Sequence, residues 1–80
     1  MTYVYLIESV HDRKKHYVGC TTDLKQRLIA HNLGKSIHTA RFRPWHLISY
    51  HAFADGKKAY GFEQYLKSGS GRAFLRRHLY

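Results

Sequence analysis

Five side chains stand where a bland sequence of this pattern would carry other residues. Tyr5 lies inside the β-branched and aromatic segment Thr2 to Ile7, and Tyr17 inside a second such segment, His16 to Cys20. Arg27 and His31 are four residues apart and share one side of a helix with Leu24 and Leu28. Glu63 falls four residues after Ala59, at the border of an apolar stripe of Ala59, Phe62 and Leu66. A carboxylate at such a border requires a counterion or a metal, because burying it alone is strongly unfavourable. The chemistry open to the set is the handling of an anionic group by a guanidinium beside groups that exchange protons. Each residue also has an ordinary use: a strand Tyr packs across strands, a helix-edge Arg or Glu faces solvent, and His31 suits a helix C-terminus.

These residues need elements to position them. Thr2 to Ile7 reads as a strand, with Tyr3, Tyr5 and Ile7 on one face and Val4 and Leu6 on the other. The polar run His11 to Lys15 separates it from a second strand, His16 to Cys20, so a hairpin is expected. Thr21, Thr22 and Asp23 are capable N-caps for a helix over Asp23 to Leu33, ended by Asn32 and Gly34. Lys35 to Arg43 is basic and irregular, and Pro44 pushes Arg43 out of helical conformation. A third strand follows over Trp45 to Phe53. Asp55 caps a helix over Lys57 to Lys67, and a break at Ser68 to Gly71 precedes a last helix over Arg72 to Leu79. The order β-β-α-β-α-α predicts an α+β fold, a three-stranded antiparallel sheet packed between helices, in one domain over residues 1–80.

Fourteen Lys and Arg against five Asp and Glu give a net charge of +9, and seven His add more below neutral pH. The chain is attracted to polyanions, whether as an enzyme for anionic substrates or as a nucleic-acid binder. With 44% hydrophobic and 15% aromatic residues it is a folding domain, not a basic disordered tail. One cysteine, Cys20, excludes an internal disulfide and reads as a small half-buried apolar group. Neither it nor the seven His form a ligand-spaced zinc set. No apolar run suits a membrane span and no signal peptide is recognisable, so a cytoplasmic location is expected. The charge opposes self-association, so a monomer or weak homodimer is expected.

Taken together, the motifs resemble the GIY-YIG nuclease domain over nearly the whole chain. Tyr3-Val4-Tyr5 corresponds to the first signature strand, with Tyr3 in place of its glycine. Tyr17-Val18-Gly19 corresponds to the second, with Val18 in place of isoleucine. Arg27, ten residues after Tyr17, and His31 occupy the family's arginine and His-or-Tyr positions, and Glu63 its glutamate position on the helix after the third strand. The chain is similar to small stand-alone members and to the nuclease module of the bacterial excision-repair incision protein. Cys20 stands where members often carry lysine, and no asparagine follows Asn32, where larger members have one beyond the glutamate helix.

The resemblance implies a metal-dependent endonuclease hydrolysing phosphodiester bonds in DNA. Glu63 would hold a single Mg²⁺ or Mn²⁺, completed by water and phosphate oxygens, and Arg27 would bind the scissile phosphate through its donor fork. Tyr17 would be the general base with Tyr5 as its hydrogen-bonding neighbour. His31 is the alternative proton acceptor, since a free phenol ionises only near pH ~10. Gly19 either bends the strand or lets a phosphate approach the backbone. A nucleic-acid surface is expected from Lys35, His38, Thr39, Arg41 and Arg43, with Lys67, Arg72, Arg76 and Arg77 behind. Trp45 reads as core, with base stacking the other option. No base-reading motif is recognisable, so sequence specificity should be low, and a protein partner would have to supply target choice. The rival reading is a nucleic-acid-binding module or accessory subunit with negligible turnover, which the departures at Cys20 and beyond Asn32 favour.

Overall fold

The central strand is apolar on both sides, and this decides the layering. In the computed structural model, which describes residues 1–80, β1 (Thr2–Ser9) lies between β2 (His16–Thr21) and β3 (Trp45–Phe53). The sheet is antiparallel throughout, in the order β2-β1-β3, with an irregularity between Leu6 and Ile7 in the β1–β3 register. With a strand on each edge and helices on both faces, Val4 to Ser9 are all buried.

On one face Val4, Leu6 and Val18 pack against Ala59 and Leu66 of α2 (Gly56–Leu66) and Leu75 of α3 (Gly69–His78). On the other, Tyr5, Ile7 and Trp45 form a cluster that Tyr17, Leu47 and two residues of α1 (Leu24–Asn32), Leu24 and Leu28, complete. Trp45 is buried and its indole N–H donates to the Thr39 carbonyl at 2.8 Å. It is a core residue with no face free for a base. The α+β order expected from the sequence is the order observed.

Local signals set the helix starts. The Asp23 carboxylate accepts from the Gln26 amide at 3.1 Å, and Asp55 accepts from the Lys57 amide at 2.8 Å. The irregular segment after α1 tightens into a short 3₁₀ turn, Ala40–Phe42, before an extended Arg43. The break expected at Ser68 to Gly71 is shorter than that. The Ser68 hydroxyl caps α3 by accepting from the Gly71 amide at 3.2 Å, so Gly69, Ser70 and Gly71 form its first turn. Gly71 is buried there because α3 meets the end of α2 backbone to backbone: a Cβ would collide with the Tyr65 carbonyl and lie 2.5 Å from the Leu66 Cα. No helix is long and apolar enough to cross a membrane.

Two glycine replacements should therefore act in opposite directions. Gly61, inside α2, has nothing within 4 Å of an added Cβ, so Gly61→Ala is expected to stabilise by about 0.5–1 kcal/mol. Gly71→Ala is expected to destabilise by about 1–3 kcal/mol, because the obstacle is backbone. Urea unfolding of both variants checks the pair, and equal effects would show that α3 is free to move off α2.

Candidate active site

The pairing register builds the first half of the site. It sets Tyr5 of β1 opposite Gly19 of β2, and the Tyr5 phenol occupies the space a side chain at 19 would need. Gly19 lies within the strand ladder and is buried. It is neither a bend leaving the strand nor an approach route for phosphate, but room for the Tyr5 ring. The Tyr5 hydroxyl is 2.7 Å from His31 Nε2, and His31 Nδ1 is 2.7 Å from Thr39 Oγ1. The charge of Arg27, one helical turn before His31, acts on the same phenol. The Tyr17 ring meets the His31 ring edge-on, with centroids 5.3 Å apart.

Burial sorts these groups by what they are able to do. Tyr5 is 3% exposed and His31 2%. Loss of solvent pushes the Tyr5 phenol well above its ordinary value, and Arg27 offsets only part of this. Loss of solvent, followed by the Arg27 charge, pushes His31 below its ordinary value. Both rings are therefore neutral at pH 7, and both nitrogens of His31 are engaged when Tyr5 donates to Nε2 and Nδ1–H donates to Thr39 Oγ1. With both nitrogens engaged, His31 fits a support for Tyr5 better than the proton acceptor envisaged from its residue type. Tyr17 is partly exposed and Arg27 exposed at the border of this buried chain.

Glu63 comes from the other layer. It is on α2, which packs on the sheet face opposite α1, so the two helices do not share one concave face. They communicate at the free edge of the sheet, along β2. Glu63 Oε2 lies 3.3 Å from Lys67 Nζ, and that ammonium stands 5.5 Å from the centroid of the Tyr17 ring. The Glu63 charge is felt at Tyr5 and at Cys20, whose thiol is raised first by burial and then by Glu63. Tyr17 is thus the junction, touched by His31 from one face and by Lys67 from the other.

Glu63 is 8% exposed, and its Oε1 accepts from Gln64 Nε2 at 3.1 Å. No group of three or more His, Cys, Asp or Glu side chains is placed to hold an ion. A cation here would rest on the one carboxylate, with water and substrate oxygens as the remaining ligands. That donor set suits a hard divalent ion that keeps most of its water. The ammonium of Lys67 already occupies the cationic position beside the carboxylate.

The expected nucleic-acid surface divides in two. Lys35, His38, Arg41 and Arg43 are exposed on the segment after α1, with Arg41 5.6 Å from the Phe42 centroid and Arg43 against Gly34. Lys67, Arg72, Arg76 and Arg77 are exposed at the end of α2 and on α3, in the opposite layer. Thr39 does not belong with them. It is 0% exposed, its hydroxyl is committed to His31 and its carbonyl to Trp45, so it has no atom for a phosphate.

One group has no counterpart among the expected site residues. Glu8, 6% exposed, accepts from His16 Nε2 at 2.9 Å, and from His46 Nε2 and Arg13 Nε at 3.2 Å each. The hydrogen bonds from His46 and His16 lead in lowering its carboxyl to about 2. The register faces Glu8 with His16 on one neighbour and His46 on the other. The available signal was an acid within an apolar strand and a histidine near the start of each partner strand.

A β-β-α-β-α-α domain of this order, with its strand tyrosines, helix arginine and helix glutamate, belongs to the GIY-YIG class. The chain matches the GIY-YIG catalytic domain over residues 1–76, and it belongs to this family. Among its relatives are two Streptococcus pyogenes proteins. UPF0213 protein SpyM3_1077, from a serotype M3 strain, is 47% identical over 58 residues, which are 71% of this chain and 60% of that protein. UPF0213 protein SpyM50708, from a serotype M5 strain, is 45% identical over the same shares. The matched segment thus spans 60% of the length of these relatives.

The lowered groups give stability a pH dependence of definite sign. Above pH 4.5 the contribution of ionised Glu8 is complete, and it is lost as pH falls toward about 2. His31 resists protonation when folded, so the unfolded chain takes up the extra proton and stability declines from pH 6.5 downward. Urea midpoints measured from neutral to acid pH should show both declines in the unmodified protein. Glu8→Gln should lose the lower decline and keep the upper one, and an unchanged lower limb would assign it to other carboxylates.

Proposed function

We propose that the protein is a metal-dependent endonuclease acting on DNA phosphodiester bonds with little intrinsic sequence preference. Family membership supports a nuclease-type activity on nucleic acid. The observation that carries the reading is the division of the tyrosines: Tyr5 is sealed and braced by His31 and Thr39, while Tyr17 is left partly open between His31 and Lys67.

In hydrolysis a water oxygen attacks phosphorus, one phosphorus–oxygen ester bond breaks, and the water's proton must leave. Arg27 holds the scissile phosphate with paired donors and offsets charge that builds on its oxygens. Tyr17 acts as a phenolate: its own proton passes to solvent first, and the Lys67 ammonium over the ring favours the resulting negative charge. The phenolate oxygen then takes the water's proton and becomes neutral. Tyr5 keeps Arg27 and Tyr17 in register, and His31 is a positioning residue acting through Tyr5. A divalent ion, Mg²⁺ or Mn²⁺, held by Glu63 would neutralise phosphoryl charge. The exposed groups around the edge are cations suited to sequence-independent phosphate contacts. A monomer is the functional unit in this reading.

The Lys67–Glu63 ion pair favours a second reading, a nucleic-acid-binding module with negligible turnover, because the pair must open before Glu63 can receive an ion. Glu63→Gln separates the two. In the enzyme reading, cleavage with Mg²⁺ or Mn²⁺ falls about a hundredfold or more while DNA affinity holds or improves. Arg27→Ala should lose cleavage and weaken binding together. Metal-dependent cleavage unchanged in Glu63→Gln, or none by the unmodified protein on duplex, flap, bubble or single strand, would falsify the enzyme reading.

Lys35→Ala and Arg41→Ala should each lower the logarithmic salt slope of duplex binding by about 0.9 if the residue meets a phosphate. Titrations at several salt concentrations with unchanged slopes would leave them as solvated surface.

A further inference from the structure

Behind Tyr17, between β2 and the helices α2 and α3, lies a cavity of about 360 Å³. Its apolar lining is Val18, Leu66 and Leu75. Two aromatic rings flank it: Tyr17, and Tyr80, which stacks on His16 with centroids 3.6 Å apart and planes 16° from parallel. Its remaining polar lining is cationic, from Lys14 before β2, Lys67 at the end of α2, and Arg72 and Arg76 on one side of α3. No carboxylate side chain lines it, and of these four cations only Lys67 has an acidic partner.

Four cations from three parts of the chain converge on an apolar, aromatic-walled hollow, and three of them, Lys14, Arg72 and Arg76, have no acidic partner. The hollow selects a ligand with an anionic end and a flat apolar body. Its volume is at the small end of the ~300–1,000 Å³ range of small-ligand sites, room for one nucleotide and not for a base-paired segment. Because Tyr17 is shared by the cavity and the candidate catalytic edge, a strand entering the cavity continues directly to that edge.

We propose that this cavity seats one unpaired nucleotide of the substrate strand beside the phosphate to be cut, its phosphate on Arg72, Arg76 and Lys14 and its base against the Tyr80–His16 stack. The placement beside the cut rests on the nuclease reading, whereas the seat itself does not. The substrate class is then nucleic acid with a single-stranded or splayed segment, in preference to continuous duplex.

Binding without a divalent ion tests the seat independently of cleavage, using labelled oligothymidylate and a blunt duplex of equal length. The single strand should bind about tenfold more tightly, and Arg72→Ala with Arg76→Ala should remove that advantage while weakening duplex binding less than about threefold. Lys35→Ala with Arg41→Ala, on the other surface, should weaken both ligands alike. Amide shift mapping with thymidine monophosphate, inorganic phosphate and an acidic peptide defines the occupant. Shifts at Lys14, Tyr17 and Arg76 that are larger with the nucleotide than with phosphate support the seat. Equal affinity for the two DNAs, an advantage that survives the double variant, or equal shifts from the acidic peptide overturn it. A single-strand preference in a protein that never cleaves with Mg²⁺ or Mn²⁺ removes the nuclease reading and leaves the seat. Cleavage of continuous duplex without that preference does the reverse.

Discussion

The structure of the site depends on one steric exchange, in which β2 gives up a side chain at Gly19 and β1 fills the space with the Tyr5 phenol. That exchange puts a hydroxyl inside the core, where it must find a partner or lose on the order of 1–3 kcal/mol. His31 answers it, Thr39 answers His31, and Trp45 holds Thr39 through its carbonyl. The irregular segment after α1 is thereby tied to the central strand by a chain of polar contacts that starts at Tyr5. The Tyr5 phenol is thereby held both by the space at Gly19 and by its hydrogen bond to His31.

The two-faced sheet explains why the remaining groups assemble at an edge. Each face is filled by its own helix layer, so no concave surface is left over the middle of the sheet. β2 has a partner on one side only, and groups from both layers reach each other along its free margin. Tyr17 contributes a ring that receives His31 from one layer and Lys67 from the other. Charge is distributed to match: Glu63 is sequestered with Lys67, Glu8 is enclosed by His16, His46 and Arg13, and most of the cations remain outside.

Features set by neighbouring residues were legible in the sequence. Asp23 and Asp55 reveal helix starts because a cap closes within three residues, and the strand alternation sorts Tyr5 from Val4 without knowledge of the helices. Features that depend on register or on packing between helices were not. The use of Gly19 appears only once it faces Tyr5, and the commitment of Thr39 only once the loop folds back over His31. The Ser68 to Gly71 run reads as a break because glycine is scarce in helices, yet Gly71 is there for the close contact with α2. The role of Glu8 is not legible in the sequence, since one acid in an apolar strand means nothing until its two partner strands are aligned. Tyr5, Tyr17, Arg27 and Glu63 are recognisable as a set through family spacing, but the placement of α1 and α2 on opposite faces of the sheet follows from tertiary packing alone.

An open strand edge is also a hazard. The unpaired backbone of β2 is a template onto which a strand from a second copy could add, the step that begins edge-to-edge aggregation. Here Lys14, Lys67, Arg72 and Arg76 gather beside that margin. A second copy approaching the same way would bring an equal cluster against the first. The charge that draws a polyanion toward Tyr17 therefore also acts as a guard against strand addition. Neutralising these residues would leave the edge less protected, linking colloidal behaviour to the charge of the proposed seat.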